Sequence, residues 1–263
     1  MVILLIVAGV SQAAAGGFSG FSSALIYSPY FQAEFSLQPV WLTVASGRKE
    51  IAASRVSWEL RDDLALVDPG VFLDLNARVQ VRRLSFRVHA SMRDFAGTTK
   101  LADATGGARA EARLEYSGFR MGADLDILRR ERSRLGVNVD RDLFRPIFTE
   151  SIVTRGGSKL VGEPASTVGI HGVYVPTRQF YGLSALFEFR VRRPLVGPTS
   201  VYDLEISGGV LGPETGYGAI GLKIGYRSTS IEFEAGQTYR NIPVTARIKA
   251  TIQGVYGELV YYY

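Results

Sequence analysis

Apolar and polar residues alternate along most of this chain. From Val71 the apolar positions are Val71, Leu73, Leu75, Ala77, Val79 and Val81, with Asp74, Asn76, Arg78, Gln80 and Arg82 between them. Past an Arg82-Arg83 corner, Leu84, Phe86, Val88, Ala90 and Met92 alternate with Ser85, Arg87, His89, Ser91 and Arg93. A period of two places successive side chains on opposite faces of a strand, so residues 70–95 read as a hairpin with one apolar and one charged face. The pattern recurs at Tyr181, Leu183, Ala185, Phe187, Phe189 and Val191 against Ser184, Glu188, Arg190 and Arg192. It also recurs at Ile220, Leu222, Ile224 and Tyr226. At Ser117-Gly118 the phase flips, which a bulge in an unturned strand explains better than a turn.

Strand length, the arginine density of the polar faces and repetition down the whole chain predict an all-β fold. The expected architecture is an up-and-down antiparallel transmembrane β-barrel, lipid outside and charge within. Ten strands follow if residues 40–64 form one strand interrupted at Ser46-Gly47-Arg48, and twelve if the preceding lead-in adds a pair; residues 40–64 as a separate hairpin is the alternative. Short connections at Arg82, 129–133, 176–178 and 211–216 alternate with longer ones at 97–107, 146–164, 194–198 and 236–243, as short periplasmic turns and longer external loops do. The start, MVILLIVAGVSQAAA, has an apolar core and a small-residue cleavage pattern. The expected domains are a signal peptide (1–15), a lead-in (16–39) and the barrel (40–263), located in the bacterial outer membrane.

The chain ends VYGELVYYY. Val255, Leu259, Tyr261 and Tyr263 resemble the alternating, aromatic-ended signal by which bacterial outer-membrane barrels are recognised, which implies the barrel assembly machinery as a partner. The region from about Val40 onward, with SWELRDDLAL, ARLEY…GADLDILRR and IGYR, is similar to small porin-like proteobacterial outer-membrane barrels. That resemblance implies fold and location.

Charge changes the picture little. Thirty basic residues against 25 acidic ones give a net +5 without a long basic run, so no nucleic-acid stripe is present. There is no cysteine, hence no disulfide framework or thiolate metal site. Asp124, Asp126, Asp140 and Asp142 lack the loop spacing of a calcium site, and no cofactor is expected. The lumen-lining candidates are Arg78, Arg87, His89, Arg93, Arg109, Glu111, Arg113, Glu115 and Glu188, with Arg55, Arg61 and Glu59 on the same reading. Such a wall would fill the interior by cross-strand pairing or leave a narrow, anion-biased pore for a small solute or ion. A charge at Leu84, Phe86 or Val88, facing lipid, should harm assembly more than one at Ser85 or Ser91. His89 and Ser91, two apart on one face, resemble the His-x-Ser pair of outer-membrane lipid hydrolases, which is the enzymatic alternative. Asp62-Asp63 is the one adjacent acidic pair near a loop that an omptin-type protease site would need. The non-enzymatic barrel, structural, binding or narrowly conducting, is the reading the sequence favours.

Overall fold

A computed structural model describes residues 31–263 apart from 52–55, 67–69, 101–108, 131, 144, 153–155, 177–178, 181–182, 196, 213–217 and 240–241. The expected signal peptide, residues 16–30 of the lead-in, and Arg55 lie outside the described residues.

The described residues form sixteen strands: β1 (Phe31–Ile51), β2 (Val56–Glu59), β3 (Gly70–Val81), β4 (Leu84–Ser91), β5 (Asp94–Lys100), β6 (Arg109–Glu115), β7 (Gly118–Arg130), β8 (Ser133–Asp142), β9 (Ile147–Ile152), β10 (Gly156–Val161), β11 (Ser166–Tyr174), β12 (Gln179–Phe180), β13 (Leu183–Pro194), β14 (Thr199–Leu211), β15 (Ala219–Tyr239) and β16 (Ile242–Tyr262). Ten of them, β1, β3, β4, β7, β8, β11, β13, β14, β15 and β16, pair antiparallel in that order. The β1–β16 and β11–β13 pairings close the ring. Closure removes every sheet edge within the ring, the condition for a sheet to cross a bilayer.

The barrel takes in more of the chain than the sequence suggests. β1 begins at Phe31, inside the expected lead-in, because residues 31–42 pair with β3 from Val81 to Gly70. Residues 40–64 are not one strand: β2 turns back and pairs with the end of β1, Ile51 against Val56. The expected loop at 146–164 is largely the β9–β10 hairpin, and that at 236–243 is the top of β15 and β16, which pair to Tyr239–Ile242.

The outer face of the ring is apolar. Ile224 is 70% exposed while its neighbour Lys223 is 6% exposed, so the alternation places hydrocarbon outside and charge inside. On β3 the outward series Val71 to Val81 spans ten steps, about 26 Å at about 3.4 Å per residue and a tilt of about 40°, close to the usual lipid-facing band of about 25 Å. A closed ring with a lipid-facing band and a polar interior is an outer-membrane β-barrel, and the chain is one. Arg82, at φ 55 in the left-handed region, makes the two-residue β3–β4 turn.

Above the band both faces invert together. On β1 the outer face passes from Leu37 and Trp41 to Ser46 and Arg48, while the inner face passes from Ser36 and Gln38 to Val40, Leu42 and Val44. On β16 the outer face changes from Leu259 and Val255 to Lys249 and Arg247, and the inner from Glu258 to Ile252, Ala250 and Ile248. The solvent outside has changed from lipid to water, so the hydrophobic effect now drives apolar groups inward.

Four strands follow the same rule after a kink. β5, β6, β9 and β10 continue β4, β7, β8 and β11 and pair as a separate four-stranded sheet in the order β10-β9-β6-β5. Tyr116-Ser117 forms the kink between β6 and β7 without a turn, and this is where the sequence phase flips. The small sheet folds over the upper halves of β1, β15 and β16, burying Phe95, Leu114, Phe148 and Leu160 against Leu42, Val44, Phe233 and Ile248. The result is an apolar cap over one end of the ring.

Phe86, 58% exposed on the lipid face of β4, gives a direct check of this assignment. Phe86→Arg should destabilise the folded barrel by about 1–2 kcal/mol, less than the ~2–4 kcal/mol of a midplane cation because Phe86 stands opposite Val79 toward the turn end of the band, read from unfolding in lipid vesicles. On the lumen side Ser85 is 0% exposed, stands opposite Asp124 and accepts from Arg78 Nη2 at 2.8 Å, so an Asp added there meets both a carboxylate and a guanidinium.

Candidate functional site

The interior below the cap is built from the polar halves of the alternating strands. Among the described residues nine cations (Arg78, Arg87, Arg93, Arg120, Arg134, Arg190, Arg192, Lys223, Arg227) face ten carboxylates (Glu34, Asp74, Asp124, Asp126, Asp140, Asp142, Glu188, Asp203, Glu205, Glu258). The balance is 9 − 10 = −1, which removes the expected anionic bias of an arginine-rich wall.

Asp74, 0% exposed, is one hub. Its Oδ2 accepts from Arg93 Nη2 and from Arg227 Nη1, each at 2.6 Å, so β3 and β15 are tied across the lumen. Arg227 also donates to Glu205 at 2.9 Å and to Gln38 at 3.2 Å. Asp203 is a second hub, with Arg120 at 3.0 Å, Arg192 at 3.3 Å and the Thr229 hydroxyl at 3.1 Å. Arg87 pairs with Asp140 over Gly122, where a Cβ would collide with the Asp140 carboxylate; glycine is what lets that pair close. Nearer the turns, Gln80 donates to Asp126 at 2.9 Å and accepts from Arg134 at 2.7 Å. Lys223 bridges Glu188 and Glu258, both at 2.9 Å. Charge-assisted bonds of this kind satisfy buried ions that would otherwise be costly.

Apolar clusters stand above and below the network. Tyr116 and Tyr256 belong to the cap core but meet the lumen cations: Arg120 donates to the Tyr116 hydroxyl at 3.1 Å, and Arg227 lies 5.3 Å from the Tyr256 ring. At the opposite end Val173, Val175, Leu186, Leu211, Val260 and Tyr262 form a second apolar cluster. Between them remains a cavity of about 90 Å³, lined by His89, Arg93, Tyr116, Arg120, Arg227 and Tyr256 among others. That is room for a few waters. Orphaned polar atoms such as Asp74 Oδ1 and the Nε of Arg93 and Arg227 give such waters partners.

Of the sequence candidates, Arg78, Arg87, His89, Arg93 and Glu188 face this interior. Glu111 and Arg113 do not. They lie on the exposed face of β6, above the band, where Arg113 donates to Asp94 at 2.5 Å. Glu115 is on that face too, 3.3 Å from Arg113. Arg109 opens β6. Alternation identifies two faces but not which is inside, and above the kink the polar face is the outer one. Glu59 and Arg61 are likewise outside the lumen: Glu59 pairs with Arg48 at 2.8 Å, and Arg61 is exposed. Arg120, Lys223, Arg227 and Glu258 were not among the sequence candidates, although each alternates with lipid-facing residues. His171, for which the sequence suggests no role, bonds Asp126 at 3.0 Å.

His89 and Ser91 share the lumen wall, but the imidazole is otherwise engaged. Its Nδ1 pairs with Asn76 and its Nε2 faces Asp74 at 3.5 Å. A serine hydrolase needs one ring nitrogen on the hydroxyl and the other on an orienting acid or amide, and here both are taken by the orienting kind. Val255 and Leu259 face outward on β16, Tyr261 shares their side, and the Tyr263 backbone bonds that of Ala33 near the start of β1.

No family model matches the sequence, and no curated protein is similar to it. Solved structures with a similar trace include a Pseudomonas aeruginosa FadL homologue (7% identity, TM-score 0.33, covering 92% of this chain and 92% of that one). The P. putida toluene transporter TodX follows at 10% identity and TM-score 0.30, covering 93% and 94%. The CymD monoaromatic hydrocarbon channel has 9% identity and TM-score 0.26, covering 96% of each chain. These are distant likenesses among β-barrels.

Proposed function

We propose that the protein is a non-enzymatic, non-conducting outer-membrane barrel that anchors and displays its solvent-side β-extension. The observation that carries this reading is the lumen: its charges are paired across strands, and it lies between two apolar clusters. A conducting pore needs a continuous polar path, with side chains standing aside for the ion. The Asp74 and Asp203 hubs instead cross-link opposite walls. The binding or structural surface is then the outer face of β2, β5, β6, β9 and β10. We assign Val255, Leu259, Tyr261 and Tyr263 to recognition of β16 by the barrel assembly machinery.

Purified protein inserted in planar bilayers should give no steady conductance steps, and incubation with phospholipid should release no fatty acid. Steady unitary steps would replace this reading with a narrow pore. Fatty-acid release abolished by Ser91→Ala would replace it with a hydrolase.

A further inference from the structure

The lipid-facing wall is interrupted by charge on one side only. On β8 the outward series runs Val139, Arg141, Leu143, and on β13 it runs Val191, Arg193, Leu195; all six are exposed. Both strands pair with β11, Arg141 opposite Ser166 and Arg193 opposite Val168. Two strand spacings and two residue steps separate the arginine Cα atoms by about 12 Å, within joint reach of two extended guanidinium side chains. Arg141 Nη1 donates to Ser166 Oγ at 2.7 Å, which draws that guanidinium over β11 toward Arg193. Arg145, two positions past Leu143, is also exposed.

Three arginines of the solvent-side extension offer a contrast. Arg48, Arg113 and Arg247, on the solvent-side extension, pair with Glu59 at 2.8 Å, Asp94 at 2.5 Å and Glu234 at 2.5 Å. Among the described residues no carboxylate pairs with Arg141, Arg145 or Arg193, and exposed Glu163 forms no ion pair with them. Arginines set between lipid-facing leucine and valine, at the upper edge of the band, lie where acyl chains give way to headgroups. Guanidinium recognises phosphate through paired, charge-assisted bonds.

We propose that the outer faces of β8, β11 and β13 bind the phosphorylated headgroup of an outer-leaflet glycolipid, with Arg141 and Arg193 as the phosphate ligands. The acyl chains lie below along Val139, Ile170 and Val191. This site is independent of whether the lumen conducts.

The test uses full-length protein in detergent, titrated with a diphosphorylated acylated glucosamine disaccharide and followed by native mass spectrometry. The intact protein should retain the lipid, and Arg141→Gln/Arg193→Gln should weaken retention at least tenfold. Arg247→Gln, which removes a paired arginine of the extension, should leave it unchanged. Unaltered heat-modifiable gel mobility of each variant shows that the barrel is folded. Arg141→Lys/Arg193→Lys should keep part of the binding, since charge survives without the bidentate fork. Equal retention by the glutamine variant, equal binding of the dephosphorylated glycolipid or of phosphatidylglycerol, or displacement by millimolar inorganic phosphate would each overturn the proposal.

Discussion

Asp74→Ala should destabilise the folded barrel by about 3–5 kcal/mol, the cost of leaving a buried ion without its partner. Asp74 is fully buried, and its Oδ2 receives both Arg93 and Arg227 at 2.6 Å. Arg227 keeps Glu205 and Gln38 when the carboxylate is gone. Arg93 has Asp74 as its one carboxylate partner among the described residues, with the Tyr116 ring 5.9 Å away. The damage should therefore fall mainly on Arg93, and Asp74→Ala/Arg93→Met should recover a large part of the loss. Equilibrium urea unfolding in lipid vesicles, followed by Trp41, measures both. Trp41 faces outward on β1 at 47% exposure, so it reports the ring. A loss under about 1 kcal/mol would mean that water reaches Arg93 freely and that the lumen is wetter than its packing indicates.

The lumen and its lipid wall were legible in the chain because each strand there carries a long unbroken alternation. Arg78, Arg87 and Arg93 fall on the inner face of one continuous pattern with Phe86 and Val88 on the other. The cap was hidden for two reasons. Its strands β5, β9 and β10 have six or seven residues each, and DFAGTTK and GGSKLV offer too few apolar positions to fix a period. β6 does alternate, but Ala110, Ala112 and Leu114 point into a core rather than to lipid, and a sequence does not say where the bilayer stops. The same limit put Glu111, Arg113 and Glu115 on the wrong side. The phase flip at Ser117-Gly118 was the available signal: a strand that leaves the membrane without turning must exchange its faces. Which ions pair could not be read at all. Asp74 and Arg227 are 153 residues apart, and only closure of the ring brings them together.

The cap contains a buried ion pair of its own, and its expected behaviour differs from that of the lumen. Lys49 on β1 is 1% exposed and Glu150 on β9 is 6% exposed; Nζ and Oε2 are 2.5 Å apart. The ammonium lies 5.2 Å from the Trp58 ring and 5.6 Å from the Phe148 ring, so the pair ties the two sheets of the cap through apolar surroundings. Glu150→Ala should leave that ammonium uncompensated and loosen the cap by about 3–5 kcal/mol. The ring below has its own cross-strand network, so the loss should be local. In a Trp41→Phe background, Trp58 fluorescence should report cap unfolding at lower urea while heat-modifiable mobility of the ring persists. Replacing both partners, Lys49→Met with Glu150→Leu, removes the desolvation cost of two charges along with their attraction. That double variant should be as stable as the parent or more stable by about 1–4 kcal/mol. If it is instead as damaged as Glu150→Ala, the pair serves to fix how the small sheet docks on β1 and β2, and apolar packing alone does not hold the cap in place.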